Sequence, residues 1–364
     1  VDPAHLQAAE ALEAVARAVA EWTVDQIHTD DPDMEIRYGG DSRRMWRHEV
    51  QSRVAHLVEA LAADRSAIFT AHASWSRAAF MARDMGEQDV ERSLHALKQV
   101  VRENLPADIV RRAEPMIDAA LSETKNKVMP PPSELDRLAD EGTLSRLYLL
   151  ELLQRDREKA ERIVREQLEG GATLAEILTR IISPAMQEIG RMWHMQEASI
   201  ADEHYCTAAT QAIMARLRGQ ARRKPANGLV AVACSAGGDM HELGIRMVSD
   251  LLDVEGWHVE CLGANMPSHE VAAVAGAQPH RGPADVIAVS AGTPLAIRSV
   301  AHLIRTVKEE GQAPDAAFMV GGMPFNMVPD LWKVVGADGF AASATDAPLV
   351  AADLARSRRS HARS

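Results

Sequence analysis

The chain has 364 residues, of which 46% are hydrophobic but only 4% aromatic, and a formal net charge of −12. That length provides for two or three domains with real cores, and the composition points to alanine- and leucine-rich helices. The acidic balance excludes a general nucleic-acid-binding surface, which needs a basic face, and no apolar run is long enough to span a bilayer or resembles a secretion signal.

A soluble, cytoplasmic protein is therefore expected. Cys206, Cys234 and Cys261 lack metal-ligand spacing. Cys234 and Cys261 fall in strand-like runs, where reduced buried thiols are expected, with neither disulfide nor zinc.

Residues 1–127 read as helices throughout, with apolar positions at helical spacing in "LQAAEALEAVARAVAEWTV", "MWRHEVQSRVAHLVEALAADRSAIF" and "VERSLHALKQVVRENL" and a break at "DDPDMEIRYGGDS". Trp22, Trp46, Trp75, His48, His56 and His72 lie in this region and are expected to be core packing rather than ligands. No DNA-recognition helix stands out. The stretch "VMPPPSELD" around 128–136 interrupts it, since three consecutive prolines make a stiff extended spacer.

Residues 133–222 predict a four-helix bundle with helices over about 133–140, 143–169, 173–196 and 199–220. Thr173 with Glu176 and Ser199 with Asp202 are capping boxes that mark two helix starts. Trp193 falls near the end of the third helix, and Glu203 and His204 fall in the first turn of the fourth. A short antiparallel connection brings those ends to one mouth of the bundle.

After a second break at "KPANG", 224–228, residues 228–356 alternate strand-like and helical runs, which predicts a parallel sheet of about five βα units in a flavodoxin-like (Rossmann-like) domain. Ligands bind such sheets beyond the carboxyl ends of the strands. The loops there carry unusual residues: Asp239, His241 and Gly244 after the first strand, Ser290 and Thr293 after the third, and Gly321 and Gly322 after the fourth. An acid two residues from a histidine holds one ring N–H and leaves the other nitrogen basic, as at a metal. One protein ligand cannot make a tight zinc site, so the metal must arrive inside a cofactor.

On Asp239, His241, Gly244, Ser290 and the Gly321–Gly322 pair, this region resembles the cobalamin-binding domain shared by methionine synthases, acyl-coenzyme A mutases and corrinoid shuttle proteins. The resemblance implies that His241 is the lower cobalt ligand in place of the cofactor's dimethylbenzimidazole, whose nucleotide tail enters a slot lined by the serine and glycine loops. Gly292 before Thr293 departs from the usual serine loop.

Trp193, nine intervening residues, then Glu203–His204 resembles the signature of light-sensing cobalamin domains, and the added helical N-terminal region resembles the photocobilins. That resemblance implies an adenosylcobalamin photoreceptor, not an enzyme, in which light cleaves the cobalt–carbon bond. Trp193, Glu203 and His204 would then pack around the upper ligand, with His194 available to the vacated cobalt position. It also implies biliverdin, a linear tetrapyrrole, for whose propionates Arg43, Arg44 and Arg47 beside Trp46 are the expected cations, and a homo-oligomer that changes with light. The alternative is a corrinoid carrier for methyl transfer, which also pairs a helical cap with this α/β domain.

Overall fold

The computed structural model describes residues 3–126, 131–138, 142–278 and 280–361. The chain divides into two compact units, residues 1–130 with 327–335 and residues 131–326 with 336–364. The proline spacer and the end of the helix expected over 133–140 lie partly outside the described residues.

Unit 1 is helical: α1 Pro3–Ala14, α2 Ala16–Asp30, α3 Met34–Tyr38, α4 Ser42–Ala63, α5 Ser66–Ala82, α6 Glu87–Asn104 and α7 Ala107–Glu123. The segment read as a break around 30–42 contains α3, whose five residues are too few to show a period. The helices meet through apolar stripes: α6 buries Val90, Leu94, Leu97 and Val101, one helical face. Trp46 is fully buried against Tyr38 and Phe80, with ring centroids 6.1 and 5.4 Å away. His56 stacks on the buried His72 at 3.8 Å. Trp22 and Trp75, expected in the core, are exposed.

In unit 2 the bundle comprises the short α8 Glu134–Arg137, then α9 Thr143–Leu153, α10 Arg157–Glu169, α11 Leu174–Ile177, α12 Ser183–His194 and α13 Ile200–Gln220. The single helix expected over 143–169 is two, because Arg155 turns left-handed (φ 64°) and Asp156 caps the N–H of Lys159 to start α10. The helix expected over 173–196 runs from α11 into α12 through one π-turn, Leu178–Ile182. That wider turn stands immediately ahead of Pro184, which cannot donate to the helix ladder. Both capping boxes form as expected, at Thr173 and Ser199.

The second half of unit 2 alternates β1 Val230–Ala236, α14 Leu243–Val254, β2 His258–Met266, α15 Ser268–Ala275, β3 Val286–Ser290, α16 Ile297–Glu310, β4 Ala317–Gly321, α17 Met323–Met327, α18 Leu331–Val334, β5 Gly339–Ala341 and α19 Ala347–His361, of which α18 groups with unit 1. The strands form one parallel sheet in the order β2-β1-β3-β4-β5. β1, β3 and β4 are buried almost throughout, as the central strands of a sheet covered on both faces must be. β2 is an edge strand, so Cys261 is exposed, contrary to expectation, whereas Cys206 and Cys234 are buried; all three are free thiols. Met247 and Leu251 of α14 join the bundle core, so one helix serves both the sheet and the cap. Among the described residues no helix is long and apolar enough to cross a membrane.

Candidate cobalamin site

Strand order reverses between β1 and β3, where loops leaving neighbouring strands diverge and open a crevice at the carboxyl edge. Asp239 and His241 stand on the first of those loops. The Asp239 side chain is 1% exposed and that of His241 is 67% exposed, so the acid is the anchor and the imidazole is presented. The ring Nδ1–H of His241 donates to Asp239 Oδ1 at 2.8 Å, and the His241 backbone N–H donates to the same oxygen at 3.0 Å. The other carboxylate oxygen accepts the N–H of Gly292 from the loop after β3. Because a carboxylate only accepts, Nδ1 carries the proton and Nε2 keeps its lone pair.

Electrostatics reinforce this arrangement. Burial pushes the Asp239 carboxyl up, but hydrogen bonds from the His241 ring and from the Gly292 and His241 N–H groups outweigh it and hold the acid below its ordinary range. The hydrogen bond to Asp239 raises His241 above an ordinary imidazole against the opposing effect of burial, and the Glu203 carboxylate adds to the rise. Glu203 belongs to α13, the bundle helix whose Gln211 bonds Glu242 next to His241.

The loop backbone is braced from β2. Asn265, itself left-handed (φ 54°), accepts the Gly238 N–H at 2.7 Å and donates its own N–H to the Asp239 carbonyl at 2.9 Å. Ser235 donates its hydroxyl to the His241 carbonyl at 2.8 Å.

Ser290 at the end of β3 is in register with Ser235 of β1 and Gly321 of β4, so the three loops are neighbours. Gly322 has φ 104°, and a Cβ there would fall 2.0 Å from the Ala291 carbonyl oxygen. Gly292 is equally confined, against His241. The departure from the usual serine loop is thus the place where the imidazole loop packs. Gly244, by contrast, faces open space.

Sequence reasoning missed Asn265, Ser235 and three apolar side chains, and took Gly292 only as a departure from the serine loop. Met240, Leu295 and Met323 are exposed, Met240 by 71%, and each follows a different strand of the edge. Apolar side chains gathered in this way mark a binding surface. Their only signal was a large apolar residue beside each motif.

At the bundle mouth, Glu203 and His204 lie 3.6 Å apart, the histidine mostly exposed. Trp193 is 41% exposed at the end of α12. His194 is 5% exposed, because adjacent helical residues point about 100° apart. The reading of His194 as an imidazole that reaches cobalt is not carried by this buried position. Thr293 stands at the start of the turn Pro294–Ala296.

The cations expected for biliverdin are already paired: Arg43 with Asp25 at 2.6 Å, Arg44 with Asp41 at 3.0 Å and Arg47 with Glu21 at 2.5 Å. Trp46 is core, not the wall of a cleft. Asp25 and Glu21 belong to α2, whereas Asp41 stands three residues before Arg44.

Residues 229–351 and 146–218 each match a B12 binding domain family. These two segments form a B12-binding module. The module is similar to monomethylamine corrinoid protein 1 of Methanosarcina acetivorans, 26% identical over 197 residues, which is 53% of this chain and 88% of that protein. It is likewise similar to the trimethylamine corrinoid protein of Methanosarcina barkeri, 26% identical over 197 residues, 53% of this chain and 87% of that protein. The solved monomethylamine corrinoid protein of M. barkeri shares the fold, with a TM-score of 0.51 and 21% identity over 58% of this chain and 98% of its own. The residues of the B12-binding module fit the cofactor: a basic, exposed imidazole at the switch point, glycines that let the neighbouring loops pack against its loop, and exposed apolar side chains for a large ring.

Proposed function

We propose that the chain is a corrinoid carrier for methyl transfer, itself not an enzyme, which holds cobalamin between the bundle and the sheet and serves partner methyltransferases. The observation that supports this reading most is the similarity to methylamine corrinoid proteins over 197 residues, along 87–88% of their length. Bound cobalt supplies a centre that accepts and releases a carbon ligand. The chain's own residues would do the rest: Asp239 keeps the proton on Nδ1, His241 would offer Nε2 to the metal, and Met240, Leu295 and Met323 would meet the ring with apolar surface. Ser290, Gly321 and Gly322 would line the way for the nucleotide tail, and Trp193, Glu203 and His204 would meet the cofactor's other face.

A second reading, an adenosylcobalamin photoreceptor, is favoured by the half-exposed indole of Trp193 at the end of α12, since a bulky apolar wall suits a nucleoside better than a methyl group. Affinity for methylcobalamin and adenosylcobalamin, measured in the dark on the full chain, separates the two. A carrier binds both alike and keeps one elution volume in size-exclusion chromatography after green light. A photoreceptor prefers adenosylcobalamin and changes its spectrum and assembly on illumination.

A further inference from the structure

On α13, Glu203, Thr207 and Gln211 follow one another at four-residue intervals and so share a face that runs from the mouth of the bundle down toward the sheet. Thr207 donates its hydroxyl to Glu203 Oε1 at 2.9 Å. At the lower end, the Gln211 amide donates to Glu242 Oε1 at 2.9 Å. Glu242 is the residue after His241.

The other oxygen of Glu242 accepts the Ala264 N–H of β2 at 3.1 Å and the guanidinium of Arg246 on α14 at 3.0 Å. The sheet is shaped around this carboxylate. The β1–β2 register shifts where Cys234 meets Gly263. Gly263 is left-handed (φ 78°), and a Cβ there would fall 2.7 Å from Glu242 Oε2. A half-buried carboxylate that satisfies three elements at once fixes their spacing, because losing any donor leaves the acceptor short of partners in a weakly screened place.

We propose that Gln211 and Glu242 are a positioning pair: they tie the bundle helix that carries Glu203 and His204 to the loop that carries His241, and so set the gap in which the corrin ring is held. The inference rests on the cobalamin reading above. Neither residue touches cobalt; they act through His241 and through α13.

The test uses the full chain loaded with hydroxocobalamin, with release followed by absorbance of the protein fraction after dilution. Gln211→Ala should release the corrinoid about tenfold faster than the unaltered chain, with the bound spectrum retained because Asp239 still holds His241, and with only a small fall in melting temperature. Gln211→Glu should be worse, as two carboxylates then face each other. Combining it with Glu242→Gln reverses donor and acceptor, and release should return to within about twofold of the original. Equal release rates for the original and Gln211→Ala, or a reversed pair no slower than Gln211→Glu alone, would overturn the inference while leaving cobalamin binding intact. Failure of the unaltered chain to retain hydroxocobalamin overturns the cobalamin reading itself, and this inference with it.

Discussion

A Cβ placed on Gly292 would lie 2.4 Å from the Cβ of His241, closer than two such atoms ever come. The loop after β3 is therefore cut back at one residue so that the loop after β1 can stand against it, and the Gly292 N–H reaches Asp239 from the same position. Gly292→Ala should push the imidazole loop outward. The expected outcome is a loss of corrinoid affinity by at least about tenfold, with destabilisation of about 1–3 kcal/mol in urea unfolding, the usual cost of overpacking. Unchanged affinity for hydroxocobalamin would show that the imidazole loop has room to spare.

Asp239→Asn replaces the charged acceptor of the His241 ring proton with an amide. The imidazole loses its fixed tautomer and its raised basicity, so corrinoid affinity should fall about 10- to 100-fold, as for other partners of metal-binding histidines. His241→Ala should go further and return the bound cofactor to coordination by its own dimethylbenzimidazole, visible in the absorption spectrum. A His241→Ala spectrum identical to that of the original would reject the histidine as lower ligand.

Trp193→Ala discriminates between the two readings of the upper face. A methyl carrier should lose affinity for methylcobalamin and adenosylcobalamin alike, whereas a pocket built for a nucleoside should lose the adenosyl form preferentially, by about 0.5–1.5 kcal/mol for an aromatic stacking contact. Parallel binding titrations of both cofactors in the dark read the difference directly.

Asp250 of α14 supplies a pH dependence. Burial pushes its carboxyl up to about 6 despite Arg218 at 3.6 Å, while Asp253 adds like charge. A group raised on folding from the ordinary 3.8 binds its proton more tightly in the native state, so its contribution to stability is complete below about pH 4 and is lost as pH rises through about 6. Asp250→Asn should therefore stabilise the protein by about 1–2 kcal/mol at pH 8 and by almost nothing at pH 4. Urea titrations at the two pH values check the sign; a gain at pH 4 equal to that at pH 8 would contradict it.

The stacked imidazoles of unit 1 work the other way. Burial lowers His72 well below an ordinary histidine, with the charges of His56 and Arg53 adding to the effect, and burial likewise lowers His56. Groups depressed on folding lend stability above about pH 6.5 that is lost as pH falls through their folded values. Unit 1 should loosen in mild acid, seen as protease cleavage within α4 and α5 below pH 6, and His72→Phe should delay that cleavage to lower pH.

Local rules made much of this protein legible along the chain. Alternation of strand and helix patterns implied the parallel sheet and the edge at which Asp239 and His241 stand, because hydrophobic period and turn residues are properties of neighbours in sequence. The capping boxes at Thr173 and Ser199 were equally readable, since each is a bond between residues three apart. What joins distant segments was not. Arg43 and Arg47 looked like free cations until α2 brought Asp25 and Glu21 to them. Gly292 looked like a departure from a motif until β3 placed it beside His241, and nothing along the chain singled out Glu242, around which α13, α14 and β2 close. Sequence alone determined which residues have the chemistry to hold a cofactor; only the tertiary structure decided which of them are already engaged by partners, because pairing of charges and exclusion of side-chain volume depend on distance in space and not on separation along the chain.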